Sequence, residues 1–350
     1  MNISKDQIVK ALEEVIYFPK HDNIINLKMV QDIKIEGNKI RVSIVFPSPD
    51  EPAVNIVSES AKKAIETSIE GKVEVEIETL SEKDAGRDAL SGIKHIIAVA
   101  SGKGGVGKST IAANLAVALG KQGFKTALLD ADIYGPSQPT MFGLEGQRPD
   151  ATEIEGKTKV LPFEKHGIKL MSIGFFVSPE QGLVWRGPMA SKALEQLFSD
   201  VYWGELDYMV IDMPPGTGDI HLTIAQNYPI TGALIVTTPQ KVALADVTKA
   251  ATTFRQEKIY IPVLGLVENM SYFTPAELPE NKYYIFGKSY SENFAKKLNI
   301  PFLGQIPIVQ SISESGDAGQ PVATDPDSIE GKAFKELADN IQKGIDVLKS

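Results

Sequence analysis

The chain of 350 residues carries 36 lysines and arginines against 45 aspartates and glutamates, a net charge of −9, and 43% of it is hydrophobic. Domains run to roughly 100 to 200 residues, so this length predicts two cores, with apolar content enough to fill both. The acidic balance argues against a nucleic-acid partner, which calls for a dense basic face, and the absence of cysteine excludes disulfides, thiolate nucleophiles and cysteine-held metal or iron-sulfur sites built from this chain alone.

The opening Met-Asn-Ile-Ser-Lys-Asp has no apolar leader, and no apolar run approaches the roughly 18 residues that span a bilayer, so a cytoplasmic protein without membrane segments is expected. Ser4 with Gln7 forms a capping box ahead of Ile8, Leu12 and Val15, which share one helical face. A strand ending near Ile33 and Ile35 meets the turn Gly37-Asn38, and Ile40, Val42 and Ile44 alternate on the way back. Beyond the turn-rich Pro47-Ser48-Pro49-Asp50, the residues Val54, Val57, Ala61 and Ile65 mark a second amphipathic helix, and Val73, Val75 and Ile77 a third strand. Residues 1–80 therefore read as a small α+β domain of order α-β-β-α-β.

The charged, glycine-containing stretch 81–93 suits a linker. Residues 94–350 then alternate apolar runs with helical segments: Ile96 to Ala100, Ala127 to Leu129, Met209 to Ile211, Ala233 to Val236 and Leu264 to Val267. Continuous apolar strands separated by helices predict an α/β fold with a mostly parallel sheet covered on both faces. The four histidines, His21, His95, His166 and His221, are scattered without metal-ligand spacing and read as structural or surface residues.

Gly102-Lys103-Gly104-Gly105-Val106-Gly107-Lys108-Ser109 fits G-x-x-x-x-G-K-S between the first of these strands and the helix of Ile111, Leu115 and Leu119. Glycines let the backbone approach an anion so that its N–H groups and the helix N-terminus, through Thr110, face phosphate. Lys108 is expected on the β- and γ-phosphates of ATP and the Ser109 hydroxyl on Mg²⁺. Two acidic segments close later strands: Asp130-Ala131-Asp132, and Asp212-Met213-Pro214-Pro215-Gly216-Thr217-Gly218-Asp219. Asp212 stands where an aspartate holds the Mg²⁺ hydration shell, and Asp130 is a further metal candidate. Together these features predict a P-loop NTPase that hydrolyses ATP.

With its extra lysine, the loop resembles the deviant Walker A group of Min-type and Par-type ATPases, nitrogenase iron protein and Mrp-type iron-sulfur carrier ATPases. The Mrp-type carriers match best, through the loop, Asp130-Ala131-Asp132-Ile133-Tyr134-Gly135-Pro136-Ser137, Trp185-Arg186-Gly187-Pro188-Met189, the segment from Asp212 to Asp219, and Val267-Glu268-Asn269-Met270-Ser271. The front domain resembles the iron-sulfur assembly domain often fused to such carriers. The resemblance implies a homodimer in which Lys103 reaches the partner's phosphates, Asp132 positions the attacking water, and Asn269 meets the adenine. It implies assembly factors or apo-protein clients as partners, and a [4Fe-4S] cluster bridged between subunits by a Cys-x-x-Cys pair soon after Glu268-Asn269-Met270.

That pair is missing. The stretch 271–287 keeps the flanks, and its Glu277 and Glu280 are hard oxygen donors poorly suited to cluster iron. The leading expectation is an ATPase of iron-sulfur protein maturation that holds no cluster by itself. The alternative is a Min-type or Par-type spatial organiser, against which stand the mixed charges of the segment from Lys332 to Lys349 and the acidic balance. A nitrogenase-type reductase needs cysteine.

Overall fold

A computed structural model describes residues 3–47, 53–69, 71–81, 90–154, 156–177, 187–256, 259–275, 278, 281–288 and 290–349. The chain divides into two compact units, Met1–Ala89 and Leu90–Ser350.

In the first unit, helix α1 (Lys5–Leu12) starts from the expected capping box: Gln7 N–H donates to Ser4 Oγ and Ser4 N–H to Gln7 Oε1, each at 3.3 Å. Two-residue strands β1 (Ile16–Tyr17) and β2 (Asp22–Asn23) pair next, too short for periodicity to announce. Strands β3 (Val30–Glu36) and β4 (Lys39–Phe46) form an antiparallel hairpin whose turn needs the positive φ of Gly37 (65°). Helix α2 (Ala53–Ser68) buries Val54, Val57, Ala61 and Ile65, and it returns the chain to β5 (Glu74–Ser81), parallel to β4. Ile8, Leu12, Ile40, Val42, Ile44 and Phe46 fill the core between helices and sheet.

The second unit runs β6 (Ile93–Ser101), α3 (Lys108–Lys121), β7 (Thr126–Asp130), α4 (Gln138–Met141), β8 (Ala151–Ile154), β9 (Lys157–Val160), β10 (Phe163–Lys165), β11 (Ile168–Ser172), α5 (Gly187–Ser199), β12 (Leu206–Asp212), α6 (Asp219–Asn227), β13 (Gly232–Thr237), α7 (Lys241–Phe254), β14 (Val263–Glu268), α8 (Ser291–Lys297), β15 (Phe302–Gln305), α9 (Gln310–Asp317) and α10 (Ile329–Lys349). Eight strands order as β10-β11-β7-β12-β6-β13-β14-β15, all parallel except β10 against β11. β8 and β9 pair apart from this sheet.

The five apolar runs form the middle of the sheet. The strands β10, β11 and β15 escape the hydrophobic pattern because they are short; β10 and β15 are the edges of the sheet, and β11 lies between β10 and β7. Ordered chain reaches into the stretch expected as a linker: Ser81 ends β5, Leu90 is buried in the second core and Ile93 pairs with Leu206. Residues 82–89 of that stretch lie outside the described residues.

α3 is buried on nearly every side because α10 and β12 both pack on it. α10 turns Phe334, Leu337, Ala338, Ile341 and Ile345 into the core of its own unit, leaving Val347 and Leu348 exposed near its end. Among the described residues no helix is long and apolar enough to cross a membrane.

The register decides where chemistry collects. β7, β12 and β6 are neighbours, and Asp212 sits opposite Asp130 on one side and Val99 on the other, while Ser172 of β11 pairs with Asp130. The carboxyl ends of the strands before the glycine loop and the two acidic segments therefore meet at one edge of the sheet, the place where open α/β folds bind ligands.

Candidate nucleotide site

Two glycines of the loop are required by close approach. A Cβ on Gly102 would lie 2.4 Å from the Asp246 carbonyl, and one on Gly107, whose φ is +79°, would lie 2.2 Å from Asn269 Nδ2. Only hydrogen fits at either position. The loop is pinned from within as well: Ser101 Oγ donates to the Lys103 carbonyl at 2.9 Å, and the Val106 side chain is buried. α3 begins at Lys108, so the free N–H groups of its first turn, through Ser109 and Thr110, open towards the loop.

Lys108 is almost wholly buried, and its Nζ pairs with Asp212 Oδ1 and lies 3.5 Å from Asp132 Oδ2. Burial works against its charge, but Asp212, Asp132 and Asp130 outweigh that and hold its pKa above the ordinary lysine range. Burial raises Asp132, helped by the charge of Asp212 and opposed by Lys108. Asp130 is pushed up to about 8, by burial first and by Asp212 next.

The oxygens of Asp130 accept from Ser172 Oγ at 2.8 Å, Gln138 N–H at 3.2 Å and Asp132 N–H at 3.1 Å. Asp130 thus folds the segment that carries Asp132 and Gln138. Asp212 has a second partner, Gln138 Nε2, 2.8 Å from Oδ2.

These groups can take an anion together with a hard cation. Carboxylates, the Ser109 hydroxyl and carbonyl oxygens are the donors Mg²⁺ accepts, and that ion usually keeps several waters and phosphate oxygens of its own. Asp132 Oδ1, Ser137 Oγ and Gln138 Oε1 are buried without a hydrogen-bond partner in the protein, acceptors suited to hydrated metal. Among the described residues no group of three His, Cys, Asp or Glu side chains is arranged to hold a metal by itself. The residues present therefore fit a metal that arrives with phosphate.

Asn269 follows β14, and its Nδ2 donates to the Val106 carbonyl at 2.9 Å, which ties it to the loop. Glu268 beside it is fully buried and accepts from Ser271 Oγ at 2.5 Å, Gln305 Nε2 at 2.9 Å and Ser291 Oγ. Lys103 is half-buried and forms no ion pair with any described residue. His221 of α6 is buried; burial pushes its pKa down to about 4 against the Pro214 carbonyl, which favours the charged ring.

Beyond Ser271 the chain turns outward. Phe273 and Tyr283 exchange backbone hydrogen bonds of 2.8 Å, Lys282 Nζ lies 4.1 Å from the centre of the Tyr272 ring, and Tyr283, Ile285 and Phe286 are exposed. Glu277 and Glu280 lie outside the described residues, as do Trp185 and Arg186.

The fold thus brings Lys108, Ser109, Asp130, Asp132, Asp212 and Asn269 into one locality, with Lys103 on the same loop. Sequence reasoning missed Gln138, Ser172, Glu268 and His221. Gln138 and Ser172 belong to no spaced motif, Glu268 lay inside a quoted segment with nothing in the pattern to mark it as buried, and His221, read only as a structural or surface residue, has no spacing that sets it apart from the other histidines.

A glycine loop between β6 and α3, with a lysine on two strand-end aspartates, defines a P-loop NTPase. Residues 92–342 match the family model for the NUBPL iron-transfer P-loop NTPase, and residues 5–77 match that of an iron-sulfur cluster assembly protein. An iron-sulfur cluster carrier protein of Synechocystis sp. is 41% identical over 345 residues, 97% of each chain. A nucleotide-binding protein of Archaeoglobus fulgidus, solved in complex with ADP, is 38% identical and superposes with a TM-score of 0.61, covering 72% of this chain and 96% of that one. The septum site-determining protein MinD of Pyrococcus horikoshii, complexed with Mg-ADP, shares the fold alone: 22% identity, TM-score 0.52, 73% of this chain and 99% of that one. The chain belongs to the NUBPL iron-transfer P-loop NTPase family.

Proposed function

We propose that this protein is a Mg²⁺-dependent ATPase of iron-sulfur protein maturation, in which ATP drives a carrier or assembly step while thiolate ligands come from a partner. The carrying observation is Lys108 paired with Asp212 and Asp132 at the mouth of the glycine loop, in a chain of this family. The lysine is held by carboxylates; a triphosphate would offer it more charge and compete for it.

Backbone N–H groups from Gly102 to Thr110 cradle the phosphates, and Lys108 contacts the β- and γ-phosphates. Ser109 and Asp212 hold Mg²⁺ and its waters, with Asp130 behind them. Asp132 orients the attacking water, and Asn269 reads the adenine from beside Gly107. Mg²⁺, when bound, neutralises charge that develops on the phosphoryl oxygens. Lys103 pairs with no carboxylate among the described residues, which leaves it open to meet the phosphates of a second subunit in an ATP-bound homodimer. Assembly factors and apo-protein clients are the partners this reading requires. The spatial-organiser alternative gains no support from α10, whose residues Phe334, Leu337, Ala338, Ile341 and Ile345 are buried in its own unit.

Titration calorimetry with Mg-ATP tests the site: Lys108→Ala should abolish measurable binding, and binding as tight as wild type would remove the assignment. Lys103→Ala should bind ATP normally and hydrolyse it at least tenfold more slowly, the direction of losing a trans-acting cation. A strictly monomeric ATP complex of full activity in light scattering would remove the role of Lys103.

A further inference from the structure

Gln138 opens α4, and its side chain is completely buried. Its Nε2 donates to acceptors on two different elements, Asp212 Oδ2 at 2.8 Å and the Ser109 carbonyl at 3.1 Å. Its backbone N–H reaches Asp130 at 3.2 Å. One residue thus touches the end of β7, the end of β12 and the first turn of α3.

The orientation of the amide follows from its partners. Turned over, Oε1 would face a carboxylate and a carbonyl, acceptor against acceptor. Oε1 is therefore the atom left over, buried and without a partner in the protein. A buried acceptor in that condition is unfavourable, and a donor from outside the chain would relieve it.

The neighbours of Gln138 indicate which donor. Asp212 is held by Lys108 at Oδ1 and by Gln138 at Oδ2. Were phosphate to compete for Lys108, Oδ1 would be freed while Gln138 still held Oδ2, so the carboxylate would keep its direction for a cation. A neutral amide donates and accepts without adding negative charge to a site that already holds Asp130, Asp132 and Asp212. An apolar side chain of the same length would do neither.

We propose that Gln138 is a positioning residue for the metal, fixing Asp212 against Ser109 and accepting, through Oε1, a hydrogen bond from a water bound to the cation. The proposal rests on the reading of this site as one for Mg²⁺ and nucleotide. The acceptor provides for outer-shell orientation, which sets metal affinity without touching the metal.

The test uses the full chain and two measurements. ADP affinity is determined by calorimetry in EDTA, and Mn²⁺ affinity of the ADP-saturated protein by electron paramagnetic resonance. Gln138→Met should leave ADP affinity without metal unchanged and weaken Mn²⁺ binding by about tenfold to a hundredfold, the range for outer-shell partners. Gln138→Ala, too small to crowd Asp212, carries the same expectation, and circular dichroism confirms that both fold. Unaltered Mn²⁺ affinity in a folded variant, or equal losses of ADP and metal, would overturn the role of Gln138 alone. Wild-type protein that binds no ADP would overturn the nucleotide site and this proposal with it.

Discussion

The segments that follow β7 and β12 and the segment that follows β14 leave the same edge of the parallel sheet, and they are held by different means. After β7 and β12 the side chains are buried and bonded to one another: Asp130 to Ser172, Gln138 to Asp212, Lys108 to Asp212 and Asp132. After β14 the buried side-chain bonds described at Glu268 and Ser271 give way, among the described residues, to backbone contacts of Tyr272 with Ile308 and of Phe273 with Tyr283, with Ile285 60% exposed. The first arrangement makes each polar group depend on its neighbours. The second leaves side chains replaceable without loss of the fold. A nucleotide site can therefore be retained while the thiols expected in the second segment are absent, because nothing in the first depends on them.

The widest contrast is all or none. After anaerobic reconstitution with iron and sulfide and then desalting, the purified chain should retain no [4Fe-4S] cluster by absorption and Mössbauer spectroscopy, since thiolates are the usual anchor and it has no cysteine. About four irons per dimer, the content of one bridging cluster, surviving without added thiol would break the comparison and make the second segment a ligand site.

Next in size is Lys108→Ala measured without nucleotide. It strands two buried carboxylates, and urea unfolding should show a loss of about 3–5 kcal/mol, the usual result of removing one partner from a buried ion pair.

His221 gives a smaller effect that depends on pH. Its folded pKa of about 4 lies below the ordinary 6.5, so between these values the unfolded chain binds more protons than the folded one. The contribution of His221 to stability therefore rises with pH across that interval, is complete above 6.5, and is lost as pH falls towards 4, by about 3 kcal/mol, while Asp130, raised to about 8, contributes with the opposite slope. His221→Gln should remove that rising contribution, making the slope of a stability profile taken by urea unfolding less positive than that of wild type between pH 4 and 6.5; an unchanged slope would show that His221 makes no such contribution.

The smallest effect belongs to the exposed segment. Ile285→Ser should change stability by no more than about 0.5 kcal/mol, and a loss several times larger would mean that the segment is tied into the fold more tightly than its exposure indicates.

Much of the fold was legible because its signals are local. Ser4 and Gln7 cap a helix three residues apart, Gly37-Asn38 turns a hairpin in place, and the apolar runs ending at Ala100, Leu129 and Ile211 became central strands. The strands β10, β11 and β15 were not legible, since strands this short have too few residues to repeat a pattern.

By itself the sequence determined the identity of the phosphate loop and its lysine, the two strand-end acidic segments and the impossibility of thiolate ligation, since each depends on residue type and short spacing. Only the tertiary structure decided that Gln138 reaches Ser109 and Asp212 across 29 and 74 residues, that Ser172 reaches Asp130 across 42, and that Glu268 is buried among hydroxyl and amide donors. Those contacts arise from the order and register of parallel strands. Neighbouring strands here are separated in the chain by whole helices, so no window of sequence contains both partners.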